Sequence, residues 1–240
     1  MAEPRWKAEA LLAGNWRGAT SVLLTDGRHH IVVDSGMPHE ACLLINALKA
    51  RGLAPEDIGT VINTHFHIDH VLNNSLFPKS LIYGTQESHD WCCSLYSDLG
   101  NDQQWEKLLL KYYPETLEYA HTLDHMHQMR RITLRWWDLK RLGSSLQHRW
   151  LESHALPDGL KILFTGGHVP GHASVILPDG PRPTVVAGDA FLTRASIERV
   201  MTMIPHNRKQ SERDREQILA LGGRIFPGHD SEFTNRPQEG

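Results

Sequence analysis

Three histidines and one aspartate fall within six residues, directly after a short run of apolar and β-branched residues. The segment 64–70 has the sequence THFHIDH, and the run 59–64 before it (GTVINT) predicts a strand. In extended backbone His65 and His67 point to the same side and can hold one ion, while Asp69 and His70 turn toward a second. Neutral imidazoles and carboxylates suit Zn²⁺, and also Mn²⁺ or Fe²⁺. The segment therefore predicts a metal centre.

Three later fragments place further histidines and aspartates just beyond predicted strands. GGHVPGH (166–172) lies between two strand-like runs, GD (188–189) ends the apolar run 183–189, and PGHD (227–230) follows the short run 224–226. Functional side chains commonly lie on loops that a rigid scaffold positions. We therefore expect these loops to converge on one edge of a sheet.

The four fragments HFHIDH, GHVPGH, AGD and PGH, in this order, resemble the metal-binding motifs of the metallo-β-lactamase-fold hydrolase superfamily over about residues 20–230. The resemblance implies an α/β fold, an αββα sandwich with the metals at one edge of its two sheets. It implies that one ion is held by His65, His67 and His172, a second by Asp69, His70 and His229, and that Asp189 bridges them. Asp34, in VDSG, matches a position that supports the site without binding metal. His168 could support the site, donate a proton or simply pack beside it.

The activity implied by the resemblance is hydrolysis with two divalent metal ions, which we expect to be Zn²⁺, with Mn²⁺ or Fe²⁺ as alternatives. Bound cations lower the pKa of water from 15.7 toward about 7, so a hydroxide between the ions forms near neutral pH. This hydroxide attacks a carbonyl or phosphoryl centre. Asp69 is the expected catalytic residue, because it can orient the nucleophile and carry a proton to the leaving group.

This sequence differs from the motifs of some branches of the superfamily, and these differences favour some reactions over others. Class B β-lactamases usually have cysteine where Asp189 stands, which disfavours antibiotic hydrolysis. Mononuclear iron persulfide dioxygenases share similar motifs without the second site, and they remain one alternative. Residues 51–78 also resemble the family of metallo-β-lactamase-domain-containing protein 1, which implies RNA cleavage. A phosphodiesterase or nuclease is therefore the other alternative.

The elements around the motifs suggest a single domain over residues 1–240 with a helical insertion at about 85–158. Strand and helix signals alternate in the first and last thirds of the chain, whereas 85–158 contains five of the seven tryptophans. Tyr112-Tyr113 and Trp136-Trp137 either cover an apolar substrate pocket or pack the insertion onto the sandwich.

The composition limits the kinds of partner that the chain is expected to bind. The 240 residues carry a net charge of −3, and no apolar run approaches the length of a membrane span. The charge disfavours a nucleic-acid partner, so we expect a small-molecule substrate, either an ester or a lactone, with the aromatic insertion covering its acyl chain. The oligomeric state is left open. Three cysteines and an N-terminus without an apolar signal core favour a cytoplasmic location.

Overall fold

The structure is a computed structural model of the chain, and it describes residues 6–15, 18–112, 120–142, 147–178, 181–199 and 206–235.

The first sheet has six strands that follow one another in chain order from edge to edge. They are β1 Lys7–Leu12, β2 Ser21–Thr25, β3 His30–Val33, β4 Thr60–Ile62, β5 Leu81–Gly84 and β6 Gln147–Trp150. Strands β1 to β3 pair antiparallel, and β4 to β6 continue the sheet in parallel with β3. The turn between β2 and β3 contains Gly27 at φ +86°, a conformation that glycine adopts without steric cost.

The second sheet has five strands in the order β11-β10-β9-β8-β7. They are β7 Lys161–Phe164, β8 Ala173–Leu177, β9 Thr184–Gly188, β10 Gly223–Pro227 and β11 Phe233–Asn235. Strands β9 and β10 are parallel, while the remaining pairs are antiparallel. Because β9 and β10 run the same way, the loops that follow them emerge at the same edge.

In the described parts of the chain, seven α-helices accompany the two sheets. They are α1 Ala41–Lys49, α2 Ile68–Val71, α3 Gln86–Gly100, α4 Asp102–Tyr112, α5 Ala120–Trp136, α6 Leu139–Leu142 and α7 Arg208–Leu221. No helix in the described part of the chain has the length and apolar character needed to cross a membrane.

Burial of apolar side chains between layers holds the sandwich together. Val22 and Val33 of the first sheet pack in one buried cluster with Val175 and Val186 of the second. On the outer faces, α1 packs on the first sheet in a second cluster and α7 packs on the second sheet in a third. Each element thereby removes its apolar face from water. The layers are thus α, β, β and α, as the sequence predicts.

The structure adds elements that the sequence pattern does not reveal. Helices α3 to α6 lie within the expected helical insertion, but Gln147–Trp150 forms an edge strand parallel to β5. The short strand Phe233–Asn235 pairs with β10. Short edge strands bury few side chains, so their hydrophobic pattern is weak.

Candidate metal centre

One carboxylate connects the ends of two neighbouring parallel strands. Asp34 follows β3 and Thr64 follows β4. The Asp34 carboxylate accepts hydrogen bonds from the backbone N–H and the hydroxyl of Thr64, each at 2.8 Å. Its Oδ2 also lies 2.8 Å from Nδ1 of His70. When Nδ1 donates to Asp34, Nε2 of His70 is left to face the interior of the site. Asp34 therefore supports the site, as expected.

The first group of candidate ligands combines three loops. The ligand atoms of His65, His67, His168 and Asp189 all lie within 4.8 Å of one another. Nε2 of His168 is 3.1 Å from Nδ1 of His67 and 3.3 Å from Oδ2 of Asp189. Desolvation lowers the pKa of all three imidazoles, that of His67 to about 3. Neutral imidazole is the form that binds metal.

The second group consists of Asp69, His70 and His229, whose ligand atoms also lie within 4.8 Å of one another. Nε2 of His229 is 3.3 Å from Oδ2 of Asp69, and its Nδ1 is 2.7 Å from the carbonyl oxygen of Asn15. Burial lowers the pKa of His229, but the carboxylates of Asp189 and Asp69 outweigh it and raise this pKa to about 12. In the protein without metal, His229 is therefore a cation.

Asp189 lies between the two groups. Its Oδ1 is 3.4 Å from Nε2 of His70 and of His229, whereas its Oδ2 faces His168 and, at 3.9 Å, His65. Burial raises the pKa of this carboxyl, but His229 and His70 outweigh it and hold the pKa well below its ordinary value. One carboxylate oxygen faces each group, which is the arrangement that a bridging ligand requires.

Several buried polar atoms in the site fit a bound cation. Nε2 of His65, Nε2 of His70 and Oδ1 of Asp189 are buried and have no hydrogen-bond partner among the described residues. A buried polar atom without a partner costs about 1–3 kcal/mol. A divalent ion coordinated by these atoms would remove that cost. The nitrogen and carboxylate donors suit Zn²⁺, Mn²⁺ or Fe²⁺.

His172, an expected ligand, is not brought into either group. Its Nε2 accepts the backbone N–H of Asp189 at 3.2 Å, and its Nδ1 lies 2.8 Å from the Thr165 hydroxyl. Gly188 makes the first contact possible: at φ +53° it brings its backbone so close that a Cβ there would lie 2.9 Å from Nε2 of His172. Both ring nitrogens of His172 thus contact protein groups. The histidine holds the backbone of Asp189 in place.

His168 enters the first group because α7 anchors the loop that carries it. The buried carboxylate of Asp214 accepts the N–H of Gly167 at 2.8 Å, and the N–H of Asn207 donates to the carbonyl oxygen of Gly167 at 2.9 Å. The N–H of His206 donates to the carbonyl oxygen of His168 at 3.0 Å. The resemblance assigns His172 to the first ion and leaves His168 beside the site, and the contacts with Asp214, His206 and Asn207 that place His168 in the first group are not visible in the sequence.

A cavity of about 300 Å³ opens onto both groups. Its apolar walls come from Ile68, Leu95, Trp137 and Leu192, and the described residues that line it include no lysine or arginine. Trp137 is fixed there because its indole N–H donates to the carbonyl oxygen of Phe66 at 2.7 Å.

Of the other aromatic residues that were candidates for covering a pocket, the structure describes the side chain of Trp136. Trp136 is 51% exposed and does not line this cavity. The side chains of Tyr112 and Tyr113 lie outside the described residues.

Comparisons with known proteins agree with this geometry. A family model described as the metallo-beta-lactamase superfamily matches residues 14–229. Metallo-beta-lactamase domain-containing protein 1 of Mus musculus is 27% identical over 218 residues, which are 90% of this chain and 65% of that protein. The chain therefore spans just under two thirds of the length of that curated relative.

Solved structures show the same fold. A probable metal-dependent hydrolase from Staphylococcus aureus has a TM-score of 0.65 at 17% identity, covering 96% of this chain and 91% of the other. A dizinc quorum-quenching lactonase, AidC, in complex with a product, has a TM-score of 0.62 at 18% identity, covering 95% and 85%. The sequence match, the sandwich and the clustered motifs together establish that the chain belongs to the metallo-beta-lactamase superfamily.

Proposed function

We propose that this protein is a hydrolase that uses two divalent metal ions to cleave a small ester or lactone. The observation that carries the proposal is the cavity between the ligand groups and the helical segment. Apart from the candidate ligands, the described residues of its wall are apolar or aromatic except for two threonines, and none is a lysine or an arginine. Phosphate recognition commonly uses arginine or lysine, whereas an acyl group needs an apolar wall.

The proposed ligand set follows the geometry. His65, His67 and His168 would hold one ion and Asp69, His70 and His229 the other, with one oxygen of Asp189 facing each group. This set takes His168 in place of His172. Zn²⁺ is the expected ion, and the donors also suit Mn²⁺ and Fe²⁺.

Bound divalent ions supply Lewis acidity: they lower the pKa of water and stabilise negative charge on a carbonyl oxygen. Asp69 lines the cavity, so its carboxylate can accept a hydrogen bond from an attacking water and carry a proton to the leaving oxygen. Burial raises the pKa of Asp69, but His70 and His229 outweigh it and lower it to about 2, which keeps the group ionised. The apolar walls bind the acyl part and exclude bulk water.

The test is a hydrolysis screen of the zinc-loaded protein with a γ-lactone, a p-nitrophenyl ester, a thioester and bis(p-nitrophenyl) phosphate. We expect turnover of the lactone or the ester and loss of that turnover in Asp69→Asn. Turnover of the phosphodiester alone would overturn the proposal in favour of a phosphodiesterase. One equivalent of bound iron and no hydrolysis would overturn it in favour of a dioxygenase.

A further inference from the structure

A second cavity lies between α3 and α4, beside the cavity at the ligand groups. Its volume is about 340 Å³, and its apolar lining comes from both helices. The apolar lining residues are Trp91, Leu95, Leu99, Trp105, Leu108 and Leu109. Nothing in the proposed ligand set explains a cavity of this size and character.

The interior of this cavity is apolar and its rim is polar. Trp105 and Leu109 are 6% and 2% exposed. The polar residues that line the rim are the exposed Ser94, Lys111 and His206 and the half-buried Asp98. The indole N–H of Trp105 donates to Nδ1 of His127 at 3.2 Å. Because that donor is already satisfied by the protein, the Trp105 ring offers a ligand only its apolar surface.

Contacts from α5 hold this wall in place before any ligand binds. The Arg130 guanidinium lies 5.6 Å from the centre of the Trp105 ring. It also donates to the carbonyl oxygen of Leu99 at 2.6 Å and to the carboxylate of Asp102 at 2.7 Å. A wall fixed in this way loses little conformational entropy when a ligand binds, which favours affinity.

The two cavities adjoin at shared residues. His67 and Leu95 line both of them. His67 belongs to the first ligand group, and its ring centre is 6.0 Å from that of Trp91 on the wall of the second cavity. A substrate with its carbonyl group at the ligand groups can therefore pass Leu95 and extend an apolar chain between α3 and α4.

We propose that the cavity between α3 and α4 binds the acyl chain of the substrate. This proposal rests on the proposed function and narrows it: the substrate is an ester or a lactone that carries a straight apolar acyl chain of several methylenes. Burying one methylene strengthens binding by about fourfold at 25 °C. Activity should therefore rise with chain length until the cavity is full.

The first test measures kcat/KM of the zinc-loaded protein on straight-chain p-nitrophenyl esters from acetyl to dodecanoyl. We expect a rise of about two- to fourfold per methylene over the first few additions to the chain. Leu108→Trp, at a half-buried position of the lining, should abolish this rise while its metal content and circular dichroism spectrum match those of wild type. Leu110→Trp is the matched control, because Leu110 lies on the same helix, is 59% exposed and does not line the cavity. It should keep the rise.

The second test detects binding without turnover. Titration with a bromine-labelled decanoic acid should quench tryptophan fluorescence in wild type and in Leu110→Trp. It should leave the cavity tryptophans of Leu108→Trp unquenched. Hydrolysis of the acetyl ester without chain-length dependence and without quenching would overturn this proposal and leave the proposed function standing. Quenching without hydrolysis of any ester would overturn the proposed function and retain the cavity as a site for apolar chains.

Discussion

At the scale of single residues, two histidines of one loop perform different tasks. Nε2 of His168 faces the carboxylate of Asp189, whereas Nε2 of His172 accepts the backbone N–H of the same residue. The side chain and the main chain of Asp189 are thus held by two histidines four positions apart.

The first prediction separates these two tasks. His168→Ala should lower the bound metal by about one equivalent per chain, because it removes one of the three imidazoles of the first group. His172→Gln should keep both equivalents, because the amide oxygen can still accept the N–H of Asp189. Elemental analysis of both variants measures this. Metal lost from His172→Gln and kept by His168→Ala would restore His172 as the ligand.

The second prediction concerns the bridging carboxylate. Asp189→Ala should lower metal content and abolish hydrolysis while the chain stays folded, because the carboxylate faces both ligand groups. The loss of affinity should exceed the roughly 10- to 100-fold that follows removal of an outer hydrogen-bond partner of a metal site. Metal analysis, ester hydrolysis and circular dichroism measure the three effects. Full activity with one metal lost would contradict a mechanism that needs two ions.

At the scale of elements, α7 holds the loop that carries the candidate ligand His168. No residue of α7 is itself a proposed ligand. Asp214 on this helix is 1% exposed, and its two carboxylate oxygens accept from the N–H of Gly167 and from the Gln210 side chain. The loop that carries His168 is thereby hydrogen-bonded to a helix that packs on the second sheet.

The third prediction tests the hydrogen bond between Gly167 and Asp214. Asp214→Ala should weaken metal binding by about 10- to 100-fold, because Gly167 loses its acceptor and the His168 loop loosens. Asp214→Asn retains an acceptor oxygen and should recover most of the affinity. The measurement is competition with a chromophoric chelator, and thermal unfolding of the metal-free variants controls for general loss of stability. Equal metal affinity in wild type and Asp214→Ala would show that the helix does not position the ligand.

The sequence predicts those elements whose pattern of apolar residues matches the face that they bury in the fold. Strand β4 is buried in the middle of the first sheet, so its run of apolar and β-branched residues predicts it. The edge strands β6 and β11 contain only four and three residues, too few for a clear pattern. In addition, β6 pairs with β5, from which the helices α3 to α6 separate it in the chain.

The same limit applies to the site. The clustering of six of the expected ligand residues follows from motifs at strand ends. The roles of His168 and His172 depend on hydrogen bonds to α7 and to the residue after β9, which no local pattern reveals.

At the scale of the whole molecule, the sandwich brings the ends of both sheets to one edge. Loops after β4, β7, β9 and β10 carry the candidate ligands, and helices of the α3–α6 region share a buried cluster with Phe66 beside them. The metal centre therefore depends on residues from Asp34 to His229, and binding of metal is coupled to the stability of the entire fold.

The fourth prediction follows from this coupling and from protonation. In the protein without metal, burial lowers the pKa of both histidines, but the nearby carboxylates outweigh it. They raise the pKa of His70 well above its usual value and that of His229 to about 12, which favours the protonated form of each. A divalent ion must displace a proton from Nε2 of each, so metal affinity should rise with pH. Calorimetric titration with Zn²⁺ in buffers of different ionisation enthalpy should show proton release. A heat of binding independent of the buffer would contradict this.

Removal of metal should also lower thermal stability. At an ion concentration 100 times its dissociation constant, binding stabilises the fold by about 2.7 kcal/mol. For a chain of this size that corresponds to a fall in Tm of roughly 5–10 °C on chelation. Differential scanning calorimetry with and without chelator measures it, and an unchanged Tm would show that the ligand groups are not filled.

In this chain two groups of candidate ligands lie on either side of one carboxylate, that of Asp189. The measurement that tests this arrangement is the zinc content of the purified protein. The protein is dialysed to equilibrium against Zn²⁺, free ion is removed, and elemental analysis is combined with the protein concentration. We predict two equivalents of zinc per chain in wild type. A single equivalent that persists at saturating Zn²⁺ would contradict the account.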